Sequence, residues 1–418
     1  MALGLAANIA KTHLLAKIRQ TVIASLGVTF GIAMFIVMIS FMTGVNKFLE
    51  DTMLTATPHI RIYNDIETNR RSILDEVKSG EGRMNVVYHQ KPKDEKLNLK
   101  NGLRIAERVR REPAVLGVSP QLTSQVFYNY GPSELTGILT GVNILDEDAL
   151  YDIKTKLKSG SLEALLSSSD GVLMGKGLAE KLNVTIGNRV SVTTPKGHTI
   201  LVKVVGTYQV GIGEIDNVRS YANLSTVQKV LQEDPRYITD LHIKLTDLEQ
   251  ARPLAKRLQN TYGYKAEDWE TANASILVSF TIRNVMTSVV VTTLLIVAGF
   301  GIYNIMSMTI YDKMKDIAIL KATGFDGHDI VQMFLLQAIV IGAIGGTAGL
   351  LIGYALSYLL SITPFETGDF LAIDTFPVNF NPWFYVSGIV FGILTTVLAG
   401  YFPAKRASKV DPVSILRG

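Results

Sequence analysis

The sequence predicts a polytopic α-helical membrane protein of four transmembrane helices, with a large mixed α+β extracytoplasmic domain between helices 1 and 2. Three observations carry that expectation. Residues 21–46, 284–311, 330–365 and 378–404 contain no Asp, Glu, Lys or Arg. Each run exceeds the ~20 residues that, at about 1.5 Å apiece, cross a hydrocarbon core of about 30 Å. The chain is 47% hydrophobic and 19% charged with a mean hydropathy of +0.24, more apolar and less charged than an average soluble domain. Between the first two runs, by contrast, lies a polar segment in which short β-branched stretches alternate with helix-like ones.

The elements follow in order. Residues 1–20 set Leu3, Leu5, Ile9, Leu14, Leu15 and Ile18 among Lys11, His13, Lys17 and Arg19. That pattern suits a cytoplasmic amphipathic helix on the membrane face, or a solvated start to the first span. The opening lacks the short apolar stretch and small-residue cleavage site of a secretory signal, so the run that follows is expected to be a retained anchor. Transmembrane helices are expected over 21–46, 284–311, 330–361 and 381–404, which leaves a domain over 47–283, a connection over 312–329, a short loop over 362–380 and a tail over 405–418. Basic residues resist translocation. Lys11, Lys17 and Arg19 precede the first span, Lys313, Lys315 and Lys321 lie between the second and third, and Lys405, Arg406, Lys409 and Arg417 follow the fourth. The loop between spans three and four carries Glu366, Asp369 and Asp374 and no basic residue. Both termini and the 312–329 connection are therefore expected in the cytoplasm, and the 47–283 domain outside.

Within that domain, residues 72–100 are polar and read as an excursive loop, and 101–111 as a helix stopped at Pro113. Residues 138–140, 190–194, 199–208 and 242–245 read as strands, with helix-like 177–182 and 225–232 between them, and the length suits two small subdomains.

Composition and motifs exclude several functions. A formal net charge of +4 with no basic stripe implies no nucleic-acid partner. The absence of cysteine rules out disulfides and thiolate metal sites. Gly171-Val-Leu-Met-Gly175-Lys176-Gly177 resembles a phosphate loop only superficially: the spacing is one residue short, and Gly177 stands where a hydroxyl is needed, so a strand-to-helix turn is expected. The run 186–190 is expected to be a turn into a strand. His13, His59, His89, His198, His242 and His328 have no partner at metal-ligand or triad spacing. Glu214 and Asp216 flank a glycine-rich turn and suit a loop better than a catalytic pair.

Two features remain. The third span carries Gly342, Gly345, Gly346, Gly349 and Gly353; Gly342/Gly346 and Gly349/Gly353 form small-xxx-small pairs that permit close helix approach, either as static packing or as a sliding interface. The connection Asp312-Lys-Met-Lys-Asp-Ile-Ala-Ile-Leu-Lys-Ala-Thr-Gly324 puts an apolar strip at Ile317 and Leu320 among charges and ends on a glycine suited to a helix cap. Such a helix rests on lipid or docks in a protein groove.

At this connection, Asp316-Ile-Ala-Ile-Leu320-Lys321-Ala-Thr-Gly324 resembles the FtsX/MacB/LolC superfamily of ABC transporter permeases, and so does the ending Phe402-Pro403-Ala404-Lys405-Arg406-Ala407-Ser408-Lys409-Val410-Asp411-Pro412-Val413. The first span (Leu26-Gly27 through Thr43-Gly44), Pro58-His59-Ile60, Gly141-Val142-Asn143 and Gly175 to Ala179 with Gly187 are most similar to the lipoprotein-releasing LolC/LolE permeases; Asn143 stands where Asp is usual. The resemblance implies a non-catalytic permease subunit of a bacterial inner-membrane ABC transporter, with no cofactor bound by this chain and with ATP and Mg held by a partner ATPase. It implies pairing with a second permease copy or paralogue, contact with membrane lipids, and transfer of a lipoprotein substrate to a periplasmic carrier. It assigns the ATPase contact to Lys313, Lys315, Asp316, Ile317, Leu320, Lys321 and Gly324. MacB-like export of drugs, peptides or toxins, and FtsX-like signalling to a cell-wall hydrolase, are the alternatives.

Overall fold

The computed structural model describes residues 18–65, 97–365 and 375–411, together with residues 10, 12, 14–16, 413 and 415. Most of the expected excursion at 72–100, and with it His89, lies outside them, as do Lys11, His13, Lys17, Glu366, Asp369, Asp374 and Arg417. The chain divides into two compact units, an intervening domain built on Asp51–Ala274 and a membrane unit built on the residues before and after it.

Helix α1 (Ile18–Ala56) runs past both ends of its charge-free stretch. Its 39 residues make a rod of about 58 Å, nearly twice a bilayer core. Threonine hydroxyls return to the helix's own carbonyls, Thr43 to Ile39 at 2.6 Å and Thr55 to Asp51 at 2.7 Å, so these groups need no outside partner.

The intervening domain contains β1 (Ile60–Tyr63), α2 (Gly102–Val109), β2 (Val115–Tyr130), β3 (Ser133–Val142), α3 (Ile144–Tyr151), β4 (Leu157–Gly160), β5 (Gly171–Gly175), α4 (Lys176–Leu182), β6 (Arg189–Thr193), β7 (Thr199–Tyr208), β8 (Arg219–Asn223), α5 (Leu224–Leu231), β9 (Asp240–Leu245), α6 (Ala251–Tyr262) and β10 (Lys265–Asp268). Strand order is β10-β1-β9-β2-β3-β8-β5-β7-β4, with β6 bridging β2 and β7. The strands join in one ten-stranded sheet through the long β2. Its start pairs with β9 (Val118 opposite Ile243) and its end with β3 (Val126 opposite Gly137). Leu122, Val126, Tyr128, Leu139, Val190, Val192 and Val202 fill the main core.

The turns follow their chemistry. Gly171 to Gly177 is a strand passing straight into a helix. Gly187 takes φ +95° before β6. Asn143 caps α3 by accepting a hydrogen bond from the Leu145 amide at 3.2 Å. Asp216 accepts the amides of Val210 and Gly211, each at 2.8 Å, and so ties its own loop.

The membrane unit adds α7 (Ala274–Asp312), α8 (Met314–Ala322), α9 (Gly327–Ile362) and α10 (Pro382–Ser408) to α1. Four of these, α1, α7, α9 and α10, are long and apolar enough to cross a membrane. Each extends beyond the stretch free of charge at one end or both, because a helix continues until a cap stops it rather than where the apolar run ends: Asp326 with Asp329 forms the capping box that opens α9, and Asn381 caps α10 ahead of Pro382. Val28, Ile32 and Ile36 from α1 meet Ile302 and Met306 from α7, Phe334 and Ala338 from α9, and Ala404 and Ala407 from α10 in one core.

Candidate functional site at one end of the helix bundle

Helix α8 follows α7 after a single residue, Lys313, whose ammonium pairs with Asp316 at 2.7 Å. It ends on a Schellman pair: Phe325 N–H donates to Leu320 O at 3.1 Å and Gly324 N–H to Lys321 O at 3.2 Å. Gly324 sits at φ +103°, a conformation that costs a side chain strain and a glycine nothing. The chain then enters the capping box of α9 at once. Two helix ends are thus joined by a short, hydrogen-bonded corner rather than a long loop.

The structure divides the seven residues expected at an ATPase contact. Ile317 is fully buried in the bundle core, where Leu320 and Phe325 also pack. Lys321 turns toward α10, its Nζ donating to Ser408 O at 2.9 Å and Val410 O at 2.7 Å. Lys315 and Gly324 are exposed, and Lys313 and Asp316, joined by their ion pair, are partly so. The free face is completed by Ile319, 51% exposed, with Ala322 and Thr323, none of which the apolar strip had picked out. The spacing 315, 319, 322 was the available signal: it marks a helix side opposite to Ile317.

A seam runs between α1 and α9 farther along the bundle. A Cβ on Gly345 would stand 2.7 Å from Ser25 O, on Gly349 2.8 Å from Thr29 O, and on Gly353 3.2 Å from Ala33 O. The contact numbers rise together on both helices, so the helices are parallel and their backbones touch at every fourth residue. Thr29 Oγ1 reaches across to Gly345 O at 3.1 Å. Gly342 faces Thr396 of α10, and a Cβ on Gly346 would meet nothing closer than Ile32 Cδ1 at 3.6 Å. The row against α1 is therefore 345/349/353, while Gly342 packs against α10 and Gly346 lies in ordinary contact with Ile32. At the far end of the bundle, Arg283 of α7 donates to Asn46 Oδ1 of α1 at 2.7 Å, and Asn46 donates to Asn284 at 2.9 Å.

The intervening domain holds polar groups that sequence reasoning passed over. Glu147 of α3, 1% exposed, accepts from Ser119 Oγ at 2.6 Å and Gln121 Nε2 at 3.0 Å; burial pushes its pKa up to about 7 against those hydrogen bonds. Tyr151 OH meets His242 Nδ1 at 3.1 Å, and burial lowers the His242 pKa to about 3. Lys244 stands 4.7 Å from the Tyr151 ring centroid and donates to Thr55 O, in the last turn of α1, at 3.3 Å; burial first and Lys156 second lower its pKa to about 8. Ser119 and Gln121 on β2 and His242 and Lys244 on β9 alternate along neighbouring strands, which pattern alone does not identify as polar interior. Among the described residues no group of three or more His, Cys, Asp or Glu is placed to hold a metal.

Two family models match this sequence: one described as the MacB-like periplasmic core domain over residues 21–261, and one as the FtsX-like permease C-terminal over residues 288–412. The lipoprotein-releasing system transmembrane protein LolC of Xylella fastidiosa is 28% identical over 334 residues, 73% of this chain and 78% of its own. LolC of Neisseria meningitidis serogroup B is 24% identical over 425 residues, 95% of this chain and 94% of its own. The macrolide export ATP-binding/permease protein MacB of Bradyrhizobium diazoefficiens is 26% identical over 333 residues, 74% of this chain and 48% of its own.

Proposed function

From a chain that belongs to the family of the MacB-like periplasmic core domain, we propose a permease subunit of an ABC transporter that releases lipoproteins from a bacterial inner membrane, driven by ATP hydrolysis on a separate subunit. The observation that carries the reading is similarity to LolC over 95% of this chain and 94% of the relative. Both termini and α8 face the cytoplasm, where ATP and Mg²⁺ bind the partner, and the intervening domain lies in the periplasm.

The ATPase docks on the outer side of α8, through Lys315, Ile319, Ala322 and Thr323, the way a helix lies in a groove. Displacement of α8 moves the bundle core that Ile317 plugs, and the seam passes it to α1, a rod that Lys244 holds in its last turn. A second permease copy or paralogue covers the apolar side of α7, where Val289, Val297 and Phe300 stand exposed. The lipid-anchored substrate enters sideways from the membrane and leaves on a soluble carrier, which suits spans without charge: no aqueous path is built through them.

Gentle purification from native membranes followed by mass spectrometry tests this. An ATPase together with lipoproteins is the expected result. An ATPase with a periplasmic adaptor and an outer-membrane channel would move the assignment to MacB-like export, and absence of any ATPase would overturn the transporter reading.

A further inference from the structure

Three helix ends converge near Ser408. The last four carbonyls of a helix have no partner inside it and form the negative end of its dipole. At the end of α10 the Lys321 ammonium takes Ser408 O at 2.9 Å and Val410 O at 2.7 Å, two charge-assisted bonds to a residue pair far along the chain. The same Ser408 O lies where a Cβ on Gly327, the first residue of α9, would be 3.1 Å away, so the start of α9 abuts the end of α10. The third end is that of α8 itself, turned into α9 by the Gly324 corner. Lys321 is partly buried and directed inward, away from the side that offers Lys315 and Ile319.

We propose that Lys321 is a positioning residue, a clamp that joins α8, the start of α9 and the end of α10 into one block so that displacement of α8 reaches the membrane helices. This rests on the reading of α8 as the helix on which the ATPase docks. Without the clamp, Gly324 becomes a hinge: α8 still binds its partner but swings without moving α10.

The test compares Lys321→Met, Lys321→Arg and Lys315→Glu in the full chain, purified with its ATPase and reconstituted in lipid. With Lys321→Met the ATPase is expected to co-purify in the same ratio and hydrolyse ATP within about twofold of wild type, while lipoprotein released per ATP falls about tenfold or more, as loss of two bonds to a charged group allows. Amide exchange over residues 404–411 rises by a similar factor. Lys321→Arg restores both readouts, whereas Lys315→Glu weakens ATPase co-purification and leaves exchange at 404–411 unchanged. Lys321→Leu, which also removes both donated bonds, replaces Lys321→Met with the same expected outcome if that variant does not accumulate. Loss of ATPase binding with unchanged exchange at 404–411 would make Lys321 a partner contact and overturn the clamp, as would unchanged release per ATP. If wild type brings down no ATPase, the docking reading fails, and exchange at 404–411, which needs no partner, still decides whether Lys321 holds the helix ends.

Discussion

The seam between α1 and α9 and the core of the intervening domain are both closely packed, but from opposite materials. In the seam, Gly345, Gly349 and Gly353 bring one backbone against the other, and what is packed is chiefly the absence of side chains. Lipid is as apolar as leucine, so helices in a membrane gain little by burying large groups and much by close approach. In the domain, Leu122, Tyr128 and Leu139 are removed from water entirely, and the gain comes from the side chains themselves. The domain must also accommodate Glu147 and His242 in its interior, whereas the seam offers the Ser25 and Thr29 hydroxyls and backbone carbonyls. One region is therefore vulnerable to added atoms and indifferent to pH, the other to lost atoms and to protonation.

Four substitutions test that contrast. Gly349→Leu drives a side chain into Thr29 O and Ile32 and is expected to have the largest effect, loss of a monodisperse chain on gel filtration in detergent. Leu122→Ala, in the domain, leaves a cavity costing about 4 kcal/mol. The change shows in thermal unfolding followed by Trp269, once Trp383→Phe has made it the sole tryptophan.

Glu147→Gln addresses protonation. The folded carboxyl titrates near 7 and the unfolded one near 4.5, so its contribution is fully present below 4.5 and lost as pH rises through 7. The stability advantage of wild type over Glu147→Gln should grow by about 3 kcal/mol from pH 8 to pH 4.5. His242 titrates with the opposite slope, its lowered pKa costing stability as pH falls below 6.5, so wild type itself changes less over that window than the variant. A parallel pH series by fluorescence reads the difference. The smallest effect is expected of Gly346→Ala, within about 0.5 kcal/mol of wild type by the same gel-filtration and melting assays, because its Cβ meets nothing closer than 3.6 Å. A large loss there would break the assignment of the seam to the 345/349/353 row.

Much of this was legible in the chain. Runs without charge identify membrane helices because transfer into hydrocarbon sums residue by residue along a local stretch. Gly324 announced the end of α8, since caps depend on residues three or four apart. The strand-to-helix turn at Gly175 was equally local. What the chain left open lies at longer range. The glycines of α9 contain overlapping small-xxx-small rows, and nothing in their spacing says which row meets α1 and which meets α10. The apolar strip of α8 marked a face without saying whether it looked into the bundle or out to a partner. Lys321 was visible as a charge, but its two carbonyl partners belong to a helix end that arrives only when the bundle closes. Sequence by itself determined which stretches cross the membrane, because hydropathy sums along a local run. The tertiary structure alone decided which faces touch, because that depends on the register between helices far apart in the chain.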